Sequence, residues 1–556
     1  MRPRPSSMGA PKALLLAVSL LPLTSLGCGS ATLTQKQASP SPSASASAEA
    51  EVIVDKTAIA VERPAAPPGL ANADELPTET GLRIGALGPH TWIYKKPERE
   101  GLAMGKMRPG TSVAMKTGEP IDGPGCKGKW YAIEPRGYIC KDNTATLDLA
   151  DPYYKALAFS APQAGTFPYR YAHSNGSPMY SRVPTQEEWE KSEQGFGKPN
   201  THQTLGPWAQ GHEELMVDDP IVATDEVPYF LRDGKRTAPG GMFSTAALVW
   251  RKIPAGSMLA YSRAFEANGR VWLLTPDTMV VPADRVSMQR RSTFQGVHFD
   301  QSDMQLPFAW NRSKGPLPLY ERKGTTGEAS DFVEIEGKTL ASKTPVEIVD
   351  GPAVKFDPYE YYELRRQPGV FIRRDTTPKY ALDNDVVFTR AATKLPSSVD
   401  ADEKWIEAKI VPGTLTAYVG LTPVFATLFS PGKGGPPAPD KNTIPDARHY
   451  ATTNTGFFPL EWKEHVATMS NEKGVPKVLW FTDVPNQQYL HAPLAMHVAY
   501  WHEDFGKRKS AECLNVSPLD GAWLFGWTLP QLPTDWNAIG AGQGNGESTP
   551  VLVTAN

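Results

Sequence analysis

The sequence is short of cysteine, of net charge and of long apolar runs. It holds four cysteines in 556 residues, and its 57 Lys and Arg against 60 Asp and Glu leave a net charge of −3. A surface dedicated to nucleic acid carries a strong positive excess, so nucleic acid is excluded as a partner. The one apolar run of interest to a membrane lies at the N-terminus. Turn formers are abundant: 53 prolines and 47 glycines. Such a chain makes many turns and short strands, which argues against a helical bundle. The apolar share of 40% and charged share of 21% are those of a globular protein. At roughly 100–200 residues per domain, the length predicts three to five domains.

The N-terminus reads as an address. Arg2, Arg4 and Lys12 give a basic start, Ala13 to Leu26 is almost wholly apolar, and Gly27-Cys28 follows. The run is too short to span a bilayer comfortably and has the layout of a signal peptide, predicted over 1–28. The small residue before Cys28 resembles a bacterial lipobox, although Ser25 stands where that motif usually has leucine. The resemblance implies lipidation of Cys28, export, and a periplasmic protein anchored to a membrane through its N-terminal lipid. From Ala38 to Ala50 the chain is only Ala, Ser and Pro apart from Glu49. Nothing there offsets the entropy of ordering, so 29–78 is predicted to be a tether with a reach of roughly 35–40 Å.

Cys126 and Cys140 bracket two short strand-like runs around the turn Pro135-Arg136-Gly137. Cysteines at the open end of such a hairpin come within bridging distance, and export permits a disulfide between them. Cys513 is then left over, and an unpaired cysteine in an exported protein is a candidate nucleophile.

Between the tether and residue 400 the pattern is strand, turn, strand. Trp92-Ile93-Tyr94, Gly110 to Val113 and the cysteine hairpin fill a segment at 79–148. A similar order recurs at 300–395, with Leu317 to Tyr320, Pro345 to Ile348, Tyr361 to Leu364 and Gly369 to Ile372. A weaker copy, Arg270 to Leu274 leading to Met279 to Val281, lies in a β-rich middle region at 155–298. These runs resemble the SH3-like modules of bacterial cell-wall proteins. The acidic stretch Gln186 to Glu190 predicts a short helix. Near Lys404 the character changes: Ile406, Ala408 and Ile410 alternate, followed by Leu415, Ala417 and Val419 and then Val424 to Phe429, which predicts three strands of a new domain at 400–556. The glycines from Gly432 to Gly435 are not a phosphate loop, since no Gly-Lys-Ser/Thr follows.

The string from His497 to Pro518 carries the chemistry. His497 lies on an apolar strand, Leu494 to Val498; a polar loop leads to Cys513; and Ser517, Pro518 and Asp520 start a helix as cap, first position and third. On that helix Leu519, Trp523 and Trp527 share a face and are expected to pack inward. A free cysteine is only a few per cent thiolate at neutral pH, so it needs an imidazole within hydrogen-bond reach. His497 is the candidate. His491, His497, His502 and Glu503 lack the helical ligand spacing of a zinc site, so no metal is expected.

From about Asp402 onward the chain resembles the catalytic domain of L,D-transpeptidases, a β-rich cysteine fold. The resemblance rests on the opening strands from Trp405 to Gly435, on HVAYWHEDFG followed by Ser510-x-x-Cys513-Leu514-Asn515, and on the closing Thr549 to Val553. It implies Cys513 as nucleophile, His497 as base, the Val498 carbonyl as its orienter, Ser510 opening the signature, Asn515 where many members have arginine, and Tyr500 and Trp501 lining the cleft. No cofactor is implied. Two positions depart from the family's Ser-His-Gly-Cys: Ala511 removes a supporting histidine, and Glu512 replaces the glycine whose amide adjoins the oxyanion. An oxyanion donor is typically worth ~2.7–4 kcal/mol, and a carboxylate pointing at the sulfur would raise the thiol pKa. Lys507, Arg508 and Lys509 either attract stem-peptide carboxylates or form a solvated loop.

The expected architecture is therefore mainly β and multidomain, SH3-like modules followed by a β-rich catalytic domain. The expected function is acyl transfer on peptidoglycan stem peptides. The alternative is a catalytically degenerate lipoprotein that binds peptidoglycan.

Overall fold

In the computed structural model, residues 81–205, 209, 211–234, 247–377, 383–438, 441, 451–470 and 479–556 are described. Cys28, the signal segment and the proposed tether lie outside them. Strands dominate and are gathered into several sheets. Among the described residues no helix is long and apolar enough to cross a membrane.

The alternating residues after Lys404 form an antiparallel meander, Lys404–Lys409, Thr414–Val419 and Thr422–Leu428. Its second turn depends on Gly420, with φ +55°, where a Cβ would lie 1.9 Å from the Ala401 carbonyl oxygen. The closing strand Pro550–Thr554 returns to lie parallel to Lys404–Lys409, pairing Ile406 with Val551 and Ala408 with Val553. One face of this sheet buries Ile406, Leu415, Ala417, Phe425 and Val551 against Leu490, Leu494, Met496, Leu514 and Val516 of a second sheet. Two sheets sharing one apolar layer make a sandwich.

The second sheet contains Trp462–Ser470, Trp480–His491, Leu494–Val498, Leu514–Val516 and Ala538–Gly540. It does not stop at the edge of the last region. On one side Gly105–Lys106 pairs with Ala538–Gly540 and brings in the strands of 79–148. On the other, Met258–Tyr261 meets Trp480–His491 and brings in Arg170–Ser174 and Val286–Met288. Among the described residues this is one twelve-stranded sheet. The boundaries read from the sequence mark connections in the chain, not gaps between sheets. The core of 79–148, built on Ile84, Ile93, Met104, Val113 and Ile139, is likewise completed by Trp536 and Ile539 of the last region.

The hairpin of Lys129–Ala132 and Tyr138–Lys141 pairs Trp130 with Cys140, and Cys140 is disulfide-bonded to Cys126 with Cα atoms 5.7 Å apart. Residues 300–395 form two sheets around Ala309, Leu319, Leu340, Ile348 and Ile372. The acidic stretch is the helix Gln186–Ser192, closed by a capping box between Thr185 and Glu188.

The helix Pro518–Trp527 starts as its sequence predicts, with the Ser517 side chain accepting from the Asp520 amide. Trp523 and Trp527 pack against the core as expected, but they are not the helix's most buried residues. Leu519, Trp523 and Trp527 are half-buried, whereas Gly521, Leu524 and Phe525 are buried. The reason is the approach at Gly521, where a Cβ would stand 2.4 Å from Val498 Cγ2. The helix packs closely on the Val498 and Val516 side chains of the strands bearing His497 and Asn515, so glycine sets the contact line and the tryptophans flank it.

Candidate functional site

Leu494–Val498 and Leu514–Val516 run parallel, with His497 opposite Asn515. Cys513 is the residue before the second strand, two positions from Asn515. Side chains alternate along a strand, so Cys513, Asn515 and His497 share one face. All three are buried, at 0%, 1% and 0% exposure. That face also carries Ala495, Ala511 and Tyr489, with the half-buried Trp462 packed against them.

The imidazole of His497 is oriented by its own backbone. Nδ1 donates to the Val498 carbonyl oxygen at 3.0 Å, and Nε2 is buried with no hydrogen-bond partner. Burial lowers the ring's pKa to about 4, against the opposing pull of the Val498 carbonyl. The ring is therefore neutral at pH 7, with its proton on Nδ1 and an available lone pair on Nε2. That is the protonation state a general base requires.

Cys513 departs from the sequence expectation of an unpaired thiol: its sulfur is disulfide-bonded. Spacing along the chain constrains only local pairing and says nothing about a distant mate. Sγ also lies 3.8 Å from the Pro493 carbonyl oxygen.

The signature around the cysteine is pinned by main-chain bonds. Ser510 Oγ donates to the Cys513 carbonyl at 2.6 Å. Asn515 and Ser430 exchange both backbone hydrogen bonds, at 2.8 and 3.0 Å. Glu512 is buried at 3% exposure, and its carbonyl accepts from Thr453 Oγ1 at 2.6 Å, while the same hydroxyl accepts from the Gly432 amide at 2.8 Å. Beyond Asn515, His502 Nδ1 accepts from the Asp504 amide, so the neutral ring carries its proton on Nε2. The Asn515 amide faces that nitrogen at 3.3 Å. Turning the amide oxygen toward Nε2 gives a donor–acceptor pair and satisfies an otherwise orphaned Oδ1.

Tyr500 and Trp501 do not line an open cleft. They are 3% and 2% exposed and form the support behind the histidine. Tyr500 stacks on Tyr171 with centroids 3.8 Å apart and donates to the Thr482 carbonyl. Trp501 packs on Phe481 at 4.6 Å and His497 at 5.9 Å, with His212 at 6.4 Å. The strands of 155–298 cover this side, which the sequence of the last region alone could not reveal.

The basic triplet is neither free to bind carboxylates nor a solvated loop. Lys507 pairs with Asp385 at 2.7 Å, Arg508 with Asp383 at 2.6 Å, and Lys509 with Asp504 at 2.6 Å. Glu503 is met by Lys343 and Arg290, and its amide donates to Glu214. The buried Arg312 donates to the carbonyls of Gly506, Val411, Pro412 and Asn384. The segment joining base to cysteine is thus held by side chains from 214, 290, 312, 343, 383 and 385. Sequence reasoning missed Thr453, Arg312 and Glu214, and weighed His502 only as a metal ligand. Only Thr453 left a trace, in the Thr-Thr-Asn-Thr-Gly run before a strand.

Lys463 holds the helix that follows. Its ammonium donates to the carbonyls of Phe525, Thr528 and Pro530 at 2.7, 2.7 and 3.0 Å, a cation at a helix C-terminus. Among the described residues no group of three His, Cys, Asp or Glu side chains could hold a metal ion.

No protein family and no curated protein matches this chain. Among solved structures, a mutant Enterococcus faecium L,D-transpeptidase is 19% identical over 30% of this chain and 55% of that one, with a TM-score of 0.20. An L,D-transpeptidase from Xylanimonas cellulosilytica is 21% identical over 29% and 63%, with a TM-score of 0.19. The E. faecium catalytic domain acylated by ertapenem is 17% identical over 28% and 99%, with a TM-score of 0.20. The chain spans about half the length of the first of these proteins.

Proposed function

We propose that the last 150 or so residues form a cysteine acyltransferase of the L,D-transpeptidase kind, acting on peptidoglycan stem peptides. The observation that carries this reading is the state of His497: Nδ1–H committed to the Val498 carbonyl, Nε2 unpartnered, on the same strand face as Cys513. The active form is the reduced one. The Cys513 thiol attacks the carbonyl of the third stem residue while His497 Nε2 takes the thiol proton. The tetrahedral intermediate collapses, the C–N bond breaks, and the proton passes from the imidazolium to the departing amine of D-alanine. An acceptor amine then attacks the thioester; His497 takes its proton, returns it to sulfur, and an amide replaces the thioester. In this reduced form the Cys28 sulfur is available for a lipid that would anchor the exported chain, and Cys28→Ser should then release it from membranes.

The test uses a β-lactam named for one of the similar structures. Reduced full-length protein treated with ertapenem should gain one adduct mass on Cys513, and Cys513→Ala should gain none. A reduced parent without adduct would overturn the enzyme reading. It would favour the second one, a wall-binding domain, for which the buried Glu512 beside the cysteine and the missing histidine at Ala511 speak. Glu512→Gly separates the two further, since restored acylation in that variant would place the defect at the oxyanion position.

A further inference from the structure

The loop Gly432 to Gly435, set aside in the sequence as a plain glycine turn, lies directly against the cysteine signature. Gly432 forms a backbone bridge to Ser510, and the Lys433 amide donates to the Ser510 carbonyl at 2.9 Å. The Lys433 carbonyl accepts from Arg508 Nη1 at 3.0 Å. Gly434 and Gly435 donate to Ala451 and Gly432 at 2.6 and 2.9 Å. The backbone of Lys433 is therefore fixed against Ser510, three residues before Cys513. Its side chain is half-buried.

The neighbouring cations are all neutralised from within: Lys507 by Asp385, Arg508 by Asp383, Lys509 by Asp504. Among the described residues, no carboxylate forms an ion pair with the Lys433 ammonium, and Asp504 acts on it only from a distance. The charges around it are Lys509 and Asp504, with His212 on the strand side. A half-buried ammonium without an anion is costly, and a ligand carboxylate would relieve that cost.

We propose that Lys433 binds a carboxylate of the peptide occupying the Cys513 site and so acts as a specificity residue. This rests on the peptide-acyltransferase reading but does not depend on turnover. A stem peptide offers two such carboxylates, on its terminal D-alanine and on its glutamate, and both present the same chemistry. Burial and the proximity of Lys509 hold the ammonium's pKa at about 8. Carboxylate binding should accordingly fade as the pH rises through 8, when the charge is lost.

The experiment measures binding of L-Ala-D-Glu-L-Lys-D-Ala to the reduced full-length protein by calorimetry, in three forms: free acid, amidated at the C-terminus, and amidated at the glutamate. One amidation should weaken binding about tenfold or more, which names the carboxylate. Lys433→Gln should weaken the free acid by the same factor and leave that amide unchanged, and Lys433→Arg should restore binding and remove the loss near pH 8. Equal binding of all three forms, or equal weakening of acid and amide by Lys433→Gln, would overturn the proposal. The amide series on the parent decides the matter even if a variant fails to fold. Carboxylate preference without D-alanine release would sink the enzyme reading and leave Lys433 in place; release without preference would do the reverse.

Discussion

The molecule treats two of its cysteines and a third in opposite ways. Cys126 and Cys140 lie 14 residues apart, and the hairpin between them brings the second sulfur to the first. Cys513 directly precedes a three-residue strand whose neighbours come from Leu494–Val498, Ser430, Gly432 and Thr453, with Arg312 and Asp383 bracing the preceding loop. The first is a local device that a short peptide nearly determines. The second exists only when four distant stretches are assembled. Stability and chemistry should therefore separate on mutation.

The largest expected effect is that separation. Cys513→Ala should abolish the ertapenem adduct while leaving the thermal midpoint of the reduced protein close to the parent's. Replacing Cys126 and Cys140 by serine should leave the adduct intact and cost about 3 kcal/mol of stability, the chain-entropy value for a loop of this length. Loss of acylation in the serine pair would break the comparison.

Next comes the base. His497→Gln keeps a side-chain amide near the Val498 carbonyl but offers no comparable proton acceptor, and single-turnover acylation should slow about 10²–10⁴-fold. A rate within threefold of the parent would mean that another group takes the proton.

The bracing arginine follows. Arg312 is 3% exposed, and burial lowers its pKa to about 10. Arg312→Met would leave the carbonyls of Gly506, Val411 and Pro412 without their donor, at about 1–3 kcal/mol for each one that stays buried and unsatisfied. Urea unfolding should show that loss together with slower acylation, since Gly506 belongs to the loop between base and nucleophile. A stability loss with unchanged acylation would show that the loop keeps its shape without this anchor.

Acid should act through the histidines. Burial holds His497, His465 and His173 at about 4, below the ordinary 6.5. A lowered imidazole pKa means that the unfolded chain binds more protons between pH 6.5 and 4. Stability should therefore fall as the pH drops through that window, by up to about 1.4 kcal/mol per pH unit for each such ring. Thermal midpoints measured from pH 7 to pH 4 test this; a flat profile would mean that these rings open to water in the folded state. The smallest effect is at the surface, where a double-mutant cycle on Lys507 and Asp385 should give about 0.2–1 kcal/mol.

Much of the architecture was legible in the residues. The alternation of Ile406 with Ala408 and of Leu415 with Ala417 marked the meander, and Ser517-Pro518 marked the helix start, because periodicity and capping act over a few residues. The placement of His497 on an apolar strand, and of Cys513 on the loop between that strand and the helix, followed from the same local signals. The inward packing of Trp523 and Trp527 held, but the sequence did not show that Gly521, Leu524 and Phe525 are the more deeply buried residues, because Gly521 sets the helix's distance from Val498. The role of Tyr500 and Trp501 was misjudged for a different reason: the ring that covers Tyr500 belongs to Tyr171, more than 300 residues earlier.

What the sequence by itself determined is the mainly β character, the short strands and turns, the hairpin that joins Cys126 to Cys140, and the strand, loop and helix that bear His497, Cys513 and Ser517. Each depends on interactions within a dozen or so residues, whose energies are written in neighbouring side chains. Only the tertiary structure decided that one sheet runs through regions the chain sets far apart, that the basic triplet is matched by Asp383, Asp385 and Asp504, and that Lys433 has no ion-pair partner among the described residues. Pairing of charges and burial of rings depend on distance in space, and a chain of 556 residues offers too many partners for spacing to choose among them.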